Sequence, residues 1–143
     1  MVLAALVPSA TAGFLASCQL CVPEFDFGGH TLVADCTAND PGNSVVSSLD
    51  LNYCIGNDNG ILKAMDSGFF ADSCNACYST PTADGDNKAY MHCICNDQDQ
   101  NPVDTHDIVD NFDGRLGCFG GKWLGDDGAC DDWYLPWYLV GIP

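Results

Sequence analysis

The chain has 143 residues, a length that one ordinary domain fills, so a large multidomain enzyme is excluded. Its formal net charge is -16, from 20 acidic residues against four lysines and arginines, and Glu24 is the only glutamate among the acids. Abundant aspartate, 15 glycines and 7 prolines disfavour long helices, so we do not expect an all-α fold. The few scattered cations cannot form the clusters that phosphate backbones and anionic lipids need, so we expect no nucleic-acid and no membrane partner.

The N-terminal residues predict export. An apolar run from Val2 to Val7 is followed by small residues up to Ala12, which is typical of a signal-peptide core and its cleavage site. We therefore interpret 1–12 as a signal peptide remnant. The run is shorter than the ~20 apolar residues of a membrane-spanning helix, and no later segment supplies them. Ten cysteines, an even number, fit a disulfide framework in a secreted, extracellular protein.

Three blocks follow in the first half of the chain. The first, GFLASCQLC at 13–21, and the second, TLVADC ending at Cys36, are short apolar runs of the kind that form strands. A Gly-Gly pair at 28 and 29 between them predicts a hairpin. The third block, SSLDLNYCIGNDNGIL at 47–62, predicts a capped helical turn and then a hairpin whose tip is Asn59-Gly60.

The same three blocks return in the same order in the second half. They are FFADSCNAC at 69–77, AYMHCIC ending at Cys95, and HDIVDNFDGRL from His106, which contains Asp113-Gly114. Alignment of Asp50 with Asp107 predicts that the second copy lacks three residues of its helical turn. Three blocks in register indicate a duplicated module of about 55 residues whose copies share one core. We divide it into repeat one, 13–68, and repeat two, 69–118.

Residues 119–143 have no counterpart in either repeat and form an aromatic C-terminal extension. Aromatic side chains can stack on sugars or grip a protein partner, but more often they cover a neighbouring apolar surface. We therefore favour a strap that packs on the core and is tied by Cys130. The aromatic residues concerned are Trp123, Trp133, Tyr134, Trp137 and Tyr138.

These motifs resemble the cyanovirin-N homology (CVNH) family, in its filamentous-fungal secreted branch. The resemblance rests on Phe14 with Ser17-Cys18, on Leu32 to Cys36, on 47–62 and on their second-copy counterparts, and it covers 13–118. It implies an all-β, pseudo-symmetric fold of triple-stranded sheets and β-hairpins with short helical turns, in which the two repeats exchange halves. It also implies a lectin that binds terminal mannose units of high-mannose glycans without a metal or another cofactor.

The resemblance implies two disulfides, Cys18 with Cys36 and Cys74 with Cys95. Antiparallel pairing of the second of these blocks then makes Cys77 and Cys93 neighbours. The remaining cysteines allow three connectivities, which the sequence leaves open: Cys21, Cys54, Cys118 and Cys130. An oxidising compartment argues against the alternative in which closely spaced thiolates bind zinc.

The hairpin tips are the candidate sugar sites. Asn-Gly and Asp-Gly are the default residues of a two-residue hairpin turn, so spacing alone indicates ordinary turns. The resemblance assigns them to binding, since short amide and carboxylate side chains can pair with sugar hydroxyls. The first pocket would use Ser17, Thr37, Asn39, Asn111, Phe112, Asp113 and Gly114. The second would use Asn57, Asp58, Asn59, Gly60, Ser73, Gln98 and Gln100. Asn59 replaces an expected aspartate and Gln98 a longer basic residue, which leaves the affinity of the second pocket open.

Three acidic segments offer carboxylates that could bind a metal ion. Asp97 to Asn101 begins like a calcium-binding loop, but Pro102 and Ile108 occupy the positions that need glycine and a bidentate glutamate. We interpret this segment as a solvated acidic loop, and we expect exposed loop charges at Asp126-Asp127 and Asp131-Asp132.

No motif for catalysis is present. His30, His92 and His106 lie in different blocks, and no serine or cysteine nucleophile is paired with them locally. We predict a non-enzymatic lectin. The alternative is a cysteine-rich secreted interaction or effector protein that kept the scaffold and binds a protein partner. Exchange of halves between two chains, giving a domain-swapped homodimer, stays open.

Overall fold

A computed structural model of the protein describes residues 13–21, 30–39, 42–80, 89–99 and 102–129, with backbone alone at 79, 80, 98 and 99. The regular elements in these ranges are β-strands and single-turn 3-10 helices, which confirms the expected all-β fold. The strands are β1 (Cys18–Leu20), β2 (Thr31–Thr37), β3 (Ser44–Asp50), β4 (Ile55–Asp58), β5 (Ile61–Ala64), β6 (Cys74–Thr80), β7 (Tyr90–Cys95), β8 (Gln98–Asp99), β9 (Val103–Asp104), β10 (Asp110–Phe112), β11 (Arg115–Cys118), β12 (Trp123–Leu124) and β13 (Asp126–Asp127). The 3-10 helices are η1 (Phe14–Ala16), η2 (Leu51–Tyr53), η3 (Phe70–Asp72) and η4 (Thr105–Asp107).

Each repeat builds one antiparallel sheet. The first has the order β1-β2-β3-β13, and in the second β7 pairs with β6, β8 and β9. The first two blocks of each repeat are paired strands, as predicted, with Cys18 opposite Cys36 and Cys74 opposite Cys95. Buried and less buried residues alternate along β2, so one face of the sheet covers the core.

The first block of each repeat begins with a 3-10 turn, not with the predicted strand. The Ser17 and Ser73 amides donate to the carbonyls of Phe14 and Phe70, which closes η1 and η3. Phe14 and Cys18 are buried while Ala16 between them is exposed, a pattern that strand alternation cannot produce. Both phenylalanines are fully buried in the core.

The predicted deletion in the helical turn of repeat two is wrong. Asp50 caps η2 by accepting the Asn52 amide, and Asp104, not Asp107, caps η4 by accepting the His106 amide. Both turns therefore have the same length. The alignment failed because aspartates stand at both 104 and 107, and only the capping hydrogen bond distinguishes them.

The third block of each repeat packs on the sheet of the other repeat, so the halves are exchanged as the family resemblance implies. The β10–β11 hairpin of repeat two lies on the first sheet, where the buried Ser47 hydroxyl accepts the Leu116 amide at 3.0 Å. The β4–β5 hairpin of repeat one reaches the start of β6 through Asn57 and Ser73. One hydrophobic core spans both repeats, with Phe14, Leu32, Leu51, Phe70, Met91 and Leu116 among its buried members.

The described disulfides include the three expected pairs, Cys18–Cys36, Cys74–Cys95 and Cys77–Cys93. Of the cysteines left open, Cys54 is bonded to Cys118, which joins the turn of repeat one to the hairpin of repeat two. Cys21 is also disulfide-bonded, and Cys130 lies outside the described residues. A register shift between Asn75 and Tyr78 includes Ala76 at φ 53°, which is typical of a β-bulge.

The beginning of the C-terminal extension is part of the fold. Strand β12 pairs with β11, and β13 pairs with β3, so the segment bridges the hairpin of repeat two and the sheet of repeat one. The Trp123 ring stacks on Tyr53 at 4.6 Å between ring centroids. Its indole N–H donates to Asp66 at 2.8 Å, and Lys122 contacts the other Asp66 oxygen at 2.6 Å.

These contacts agree with a strap packed on the core as far as residue 129. Trp133, Tyr134, Trp137, Tyr138 and Asp131-Asp132 lie outside the described residues, as does the 1–12 leader. Among the described helices, no helix is long and apolar enough to span a membrane.

Two predictions of acidic loops need correction. Asp126 and Asp127 have exposed side chains, as expected, but they form a strand paired with Ser48 and Ser47 instead of a loop. Asn96 and Asp97, both at positive φ, form the tight turn between β7 and β8, so the segment predicted as a loop is a short hairpin up to Asp99. Backbone pairing, not side-chain polarity, determines both cases.

Candidate functional site

Both hairpin tips are two-residue turns with positive φ at each central residue. Asn59 and Gly60 have φ of 54° and 96°, and Asp113 and Gly114 have 55° and 95°. This conformation suits asparagine, aspartate and glycine, and it matches the twist of the flanking strands. The predicted hairpin turns are confirmed, and they present equivalent backbone groups at two places on the molecule.

One asparagine holds each tip in place. The side-chain Oδ1 of Asn111 accepts the Gly114 amide at 2.7 Å, and the side-chain Oδ1 of Asn57 accepts the Gly60 amide at 2.6 Å. These bonds span the turn and fix its conformation.

The Asn111 side-chain amide also joins its hairpin to the first sheet. Its Nδ2 group donates to the Ser17 hydroxyl and to the Thr37 carbonyl oxygen, each at 2.9 Å. The Thr37 hydroxyl in turn donates to the Ser17 carbonyl oxygen at 3.1 Å. All of the Asn111 donors and its acceptor are thereby used within the chain, so this residue positions the site and does not itself offer a free hydrogen to a ligand.

A carboxylate completes this group. Asp113 accepts the backbone amide of Asn39 at 2.7 Å, which ties the hairpin tip to the segment after β2. Both residues are exposed. We define site one by the six residues that the structure brings together here: Ser17, Thr37, Asn39, Asn111, Asp113 and Gly114.

Phe112 was predicted in the same pocket, but its ring lies elsewhere. It packs against Gly117 and Gly121. A Cβ atom added to Gly117 would lie 2.9 Å from the ring, and one added to Gly121 would lie 3.6 Å from it. Because successive side chains of a strand point to opposite faces, Phe112 faces away from the partners of Asn111.

The second hairpin forms an equivalent arrangement. The Asn57 Nδ2 group donates to the Ser73 hydroxyl at 2.9 Å and to the side-chain oxygen of Asn96 at 3.2 Å. We define site two by five residues: Asn57, Asn59, Gly60, Ser73 and Asn96. The sequence analysis did not identify Asn96. Because Cys36 and Cys95 are equivalent in the two repeats, the residues that follow them, Thr37 and Asn96, are equivalent as well, and this alignment could have identified Asn96.

The remaining residues predicted for the second pocket do not join this group. Asp58 forms an exposed ion pair with Lys63 at 2.9 Å. Among the described residues, Asn59 makes no bond comparable to the one between Asp113 and Asn39. The Gln98 backbone belongs to β8, its side chain is not described, and Gln100 lies outside the described residues.

The histidines are dispersed over the fold. His30 contacts Asp50 at 2.7 Å, His92 stacks on Tyr78, and His106 accepts the Leu15 amide at 3.1 Å. Within the described ranges, no three histidine, cysteine, aspartate or glutamate side chains are grouped to hold a metal ion. The chemistry that both sites offer is directional hydrogen bonding from short polar side chains and exposed backbone.

The comparisons with known proteins agree with this architecture. The family model of the CVNH domain matches residues 14–117, so the chain belongs to the CVNH family, whose members share a carbohydrate-binding lectin fold. Lectins of this fold are not enzymes. A search among curated proteins returned no match.

Solved structures of CVNH proteins resemble this chain over about three quarters of its length. The NMR structure of the Gibberella zeae CVNH protein has 26% identity and a TM-score of 0.63, covering 76% of this chain and 98% of that one. The T. borchii CVNH protein has 30% identity and a TM-score of 0.54, covering 75% and 99%. A designed cyanovirin-N homolog lectin has 26% identity and a TM-score of 0.59, covering 75% and 99%.

Proposed function

We propose that this protein is a lectin that binds mannose-rich oligosaccharides through site one and site two without a metal ion. The observation that carries the proposal is the repeated arrangement of an asparagine that fixes a hairpin tip and bonds to a serine of the opposite repeat. An exposed pair of rigid turns of this kind offers fixed donors and acceptors to the hydroxyls of a sugar.

Site one has groups left for a ligand. One Asp113 oxygen accepts the Asn39 amide, and the second oxygen of this exposed carboxylate can accept a sugar hydroxyl. The Ser17 hydroxyl accepts from Asn111, so its own hydrogen can be donated to a sugar oxygen. Hydrogen bonds to a carboxylate are stronger than neutral ones, which favours recognition of hydroxyl pairs at this tip.

Membership of the CVNH family supports the same conclusion, and one structural relative is a designed lectin of this type. The disulfides support a second part of the proposal, namely secretion into an extracellular, oxidising environment.

Calorimetric titration of the full-length, oxidised protein with a mannose-rich oligosaccharide tests this function. We expect saturable binding with two sites that is unchanged by a chelator. A (GlcNAc)4 oligomer should be titrated in parallel, because a MoCVNH3 variant of the same fold, 16% identical to this chain, has been solved with that ligand. Binding of the GlcNAc oligomer alone would reject the mannose assignment, and binding abolished by the chelator would reject metal independence.

Matched variants assign the binding to residues. Asp113→Ala combined with Asn59→Ala should remove binding at both tips, whereas Asp126→Ala removes an exposed carboxylate of β13 and should leave affinity unchanged. Equal loss in the control would show that net charge, not the tips, governs binding.

The alternative of a protein-binding effector is tested by truncation. The Trp123 ring already stacks on Tyr53 and its indole N–H is bonded to Asp66, so its removal would disturb the fold. The truncated protein should therefore keep β12 and β13 and end after Cys130. A lectin should retain glycan affinity after this change, and loss of glycan affinity would show that 131–143 take part in binding.

Light scattering reports the assembly directly. In the structure the hairpins are exchanged within one chain, and a protein in this form has a measured mass of 15.2 kDa. If the hairpins are exchanged between two chains, the protein is a domain-swapped homodimer and the measured mass is twice as large.

A further inference from the structure

The junction between a 3-10 turn and the opposite repeat is built twice, with different chemistry. Asn52 in η2 accepts the Ala71 amide through its side-chain oxygen at 2.9 Å. His106 holds the same position in η4 and accepts the Leu15 amide through Nδ1 at 3.1 Å. Ala71 and Leu15 are the second residues of η3 and η1. The Asn52 side-chain amide and the His106 imidazole therefore accept equivalent backbone amides in the two repeats.

The His106 ring is held tightly at this junction. Gly13, at φ +85°, lies directly on the ring, and any side chain at that position would overlap it. The Phe14 ring lies 6.0 Å away, and the Gly13 amide donates to Asp110 at 3.0 Å. The segment from Gly13 to Leu15 is therefore held by contacts with the His106 ring and with Asp110.

The two acceptors respond differently to acid. A neutral imidazole can accept a hydrogen bond at Nδ1, but a protonated imidazole is a donor at both nitrogens. Histidine gains its proton as the pH falls from about 8 to about 5, whereas an asparagine amide does not titrate. In acid, the Leu15 amide would face another donor, while the Ala71 amide would keep its acceptor.

Three aspartates belong to the segments that form this junction. Asp104 accepts the His106 backbone amide at 3.0 Å, Asp107 belongs to the same turn, and Asp110 is bonded to Gly13. The packed element η1 carries no titratable side chain, and β7 contributes Tyr90 and His92.

We propose that His106 is a pH-sensitive latch. Protonation releases the Leu15 amide and loosens 13–17, and this disturbs site one, because the Ser17 hydroxyl at the end of the segment receives the Asn111 amide. The corresponding junction of site two is insensitive to pH in this range, because it uses Asn52. The effect on ligand affinity rests on the proposed lectin function, but the release of Leu15 does not.

Amide hydrogen exchange of the full-length oxidised protein tests the latch without a ligand. The protection factor of Leu15 divided by that of Ala71 cancels any change in global stability. We expect this ratio to fall about tenfold or more between pH 8 and pH 5. A ratio that is constant across this range would overturn the proposal.

Two reciprocal variants locate the effect. His106→Asn should make the ratio independent of pH, and Asn52→His should transfer the pH dependence to Ala71. If a pH-dependent ratio persists in His106→Asn, another group is responsible and the latch is rejected. Should either variant fail to fold, the wild-type ratio still decides.

Titration with a mannose-rich oligosaccharide at pH 8 and pH 5 then tests the consequence. We expect the affinity of site one to fall at pH 5 and the affinity of site two to be retained. Equal affinities at both pH values, together with a falling exchange ratio, would contradict only the coupling to site one. Absence of binding at either pH would reject the lectin function and leave the exchange result unaffected.

Discussion

Site one and site two share a scaffold but differ in how firmly the hairpin is tied to its neighbour. In both, one asparagine bonds to a serine of the opposite repeat and to the glycine of its own turn. Site one adds the bond from the Asn39 amide to the Asp113 carboxylate, and the described part of site two has no equivalent. The two repeats thus share the frame of the tip and differ at the residue that precedes its glycine.

This difference predicts unequal ligand affinities. A carboxylate held by a backbone amide is already oriented before the ligand arrives, and preorganised groups lose less conformational entropy on binding. Asn59, which stands in the place of Asp113, is neutral and forms a weaker hydrogen bond to a hydroxyl. We expect site one to bind the more tightly.

The largest effect should come from removing the shared asparagines. Asn111→Ala and Asn57→Ala each delete three hydrogen bonds of a partly buried side chain. We expect each to lower the free energy of unfolding by about 2–3 kcal/mol and to abolish binding at its own site only. Chemical denaturation and calorimetry measure the two effects, and loss of both sites in either variant would refute their independence.

A smaller effect is expected from Asp113→Asn. The amide oxygen can still accept from Asn39, but the bond is no longer charge-assisted. Affinity at site one should fall by a factor of about 3 to 10, toward that of site two. Calorimetry that shows unchanged affinity would mean that the carboxylate is not what distinguishes the sites.

The reciprocal change, Asn59→Asp, should sharpen site two. It introduces a carboxylate at the equivalent position of an identical turn, where positive φ is tolerated by aspartate as well. Affinity at site two should rise roughly twofold to fivefold, a small gain because no described residue bonds a backbone amide to the Asn59 side chain. A decrease would indicate that the Asn59 amide hydrogen itself contacts the ligand.

The smallest effect should come from Asp66→Asn, which lies outside both sites. Hydrogen bonds from Lys122 and then from Trp123 hold the pKa of Asp66 below its ordinary value of 3.8. The carboxylate therefore stabilises the fold above about pH 4, and this contribution is lost as the pH falls through the lowered pKa.

Because Asp66 is exposed, we expect Asp66→Asn to lower the melting temperature at pH 7 by only about 1–2 °C. The difference from the wild type should shrink as the pH is lowered through the depressed pKa of Asp66, and binding at both sites should be unchanged. A change in either affinity would show that the strap and the sites are coupled.

The hairpins and the paired strands could be predicted because short sequence motifs specify them. The turn residues Asn59-Gly60 and Asp113-Gly114 adopt positive φ, which suits them to hairpin tips. The family resemblance implied the first two disulfides, and antiparallel register then made Cys77 and Cys93 neighbours. The order of the three blocks, repeated along the chain, indicated the duplication, and the family resemblance implied the exchange of halves.

The remaining features depend on long-range contacts that the sequence does not encode locally. The Cys54–Cys118 bond joins residues 64 apart in the sequence and becomes visible only when the repeats are packed together. The Asp104 cap is a local bond to the His106 amide, but two aspartates near the turn leave the sequence ambiguous. The role of Asn111 as a positioning residue depends on Ser17, which lies at the other end of the domain. Phe112 was assigned to the wrong place because the hairpin motif from Asn111 to Gly114 identifies a segment of the chain. It does not show which side chains of that segment lie on the same face.

Chemical-shift mapping tests the central claim most directly. The ¹⁵N-labelled full-length protein is titrated with a mannose-rich oligosaccharide, and the backbone amides of both tips are followed. The account predicts saturable shifts at Gly114 and its neighbours at lower ligand concentration than at Gly60, with the second sheet's outer face at Tyr78 unchanged. Shifts that avoid both tips, or no shifts at all, would contradict the assignment of sugar binding to the two hairpins.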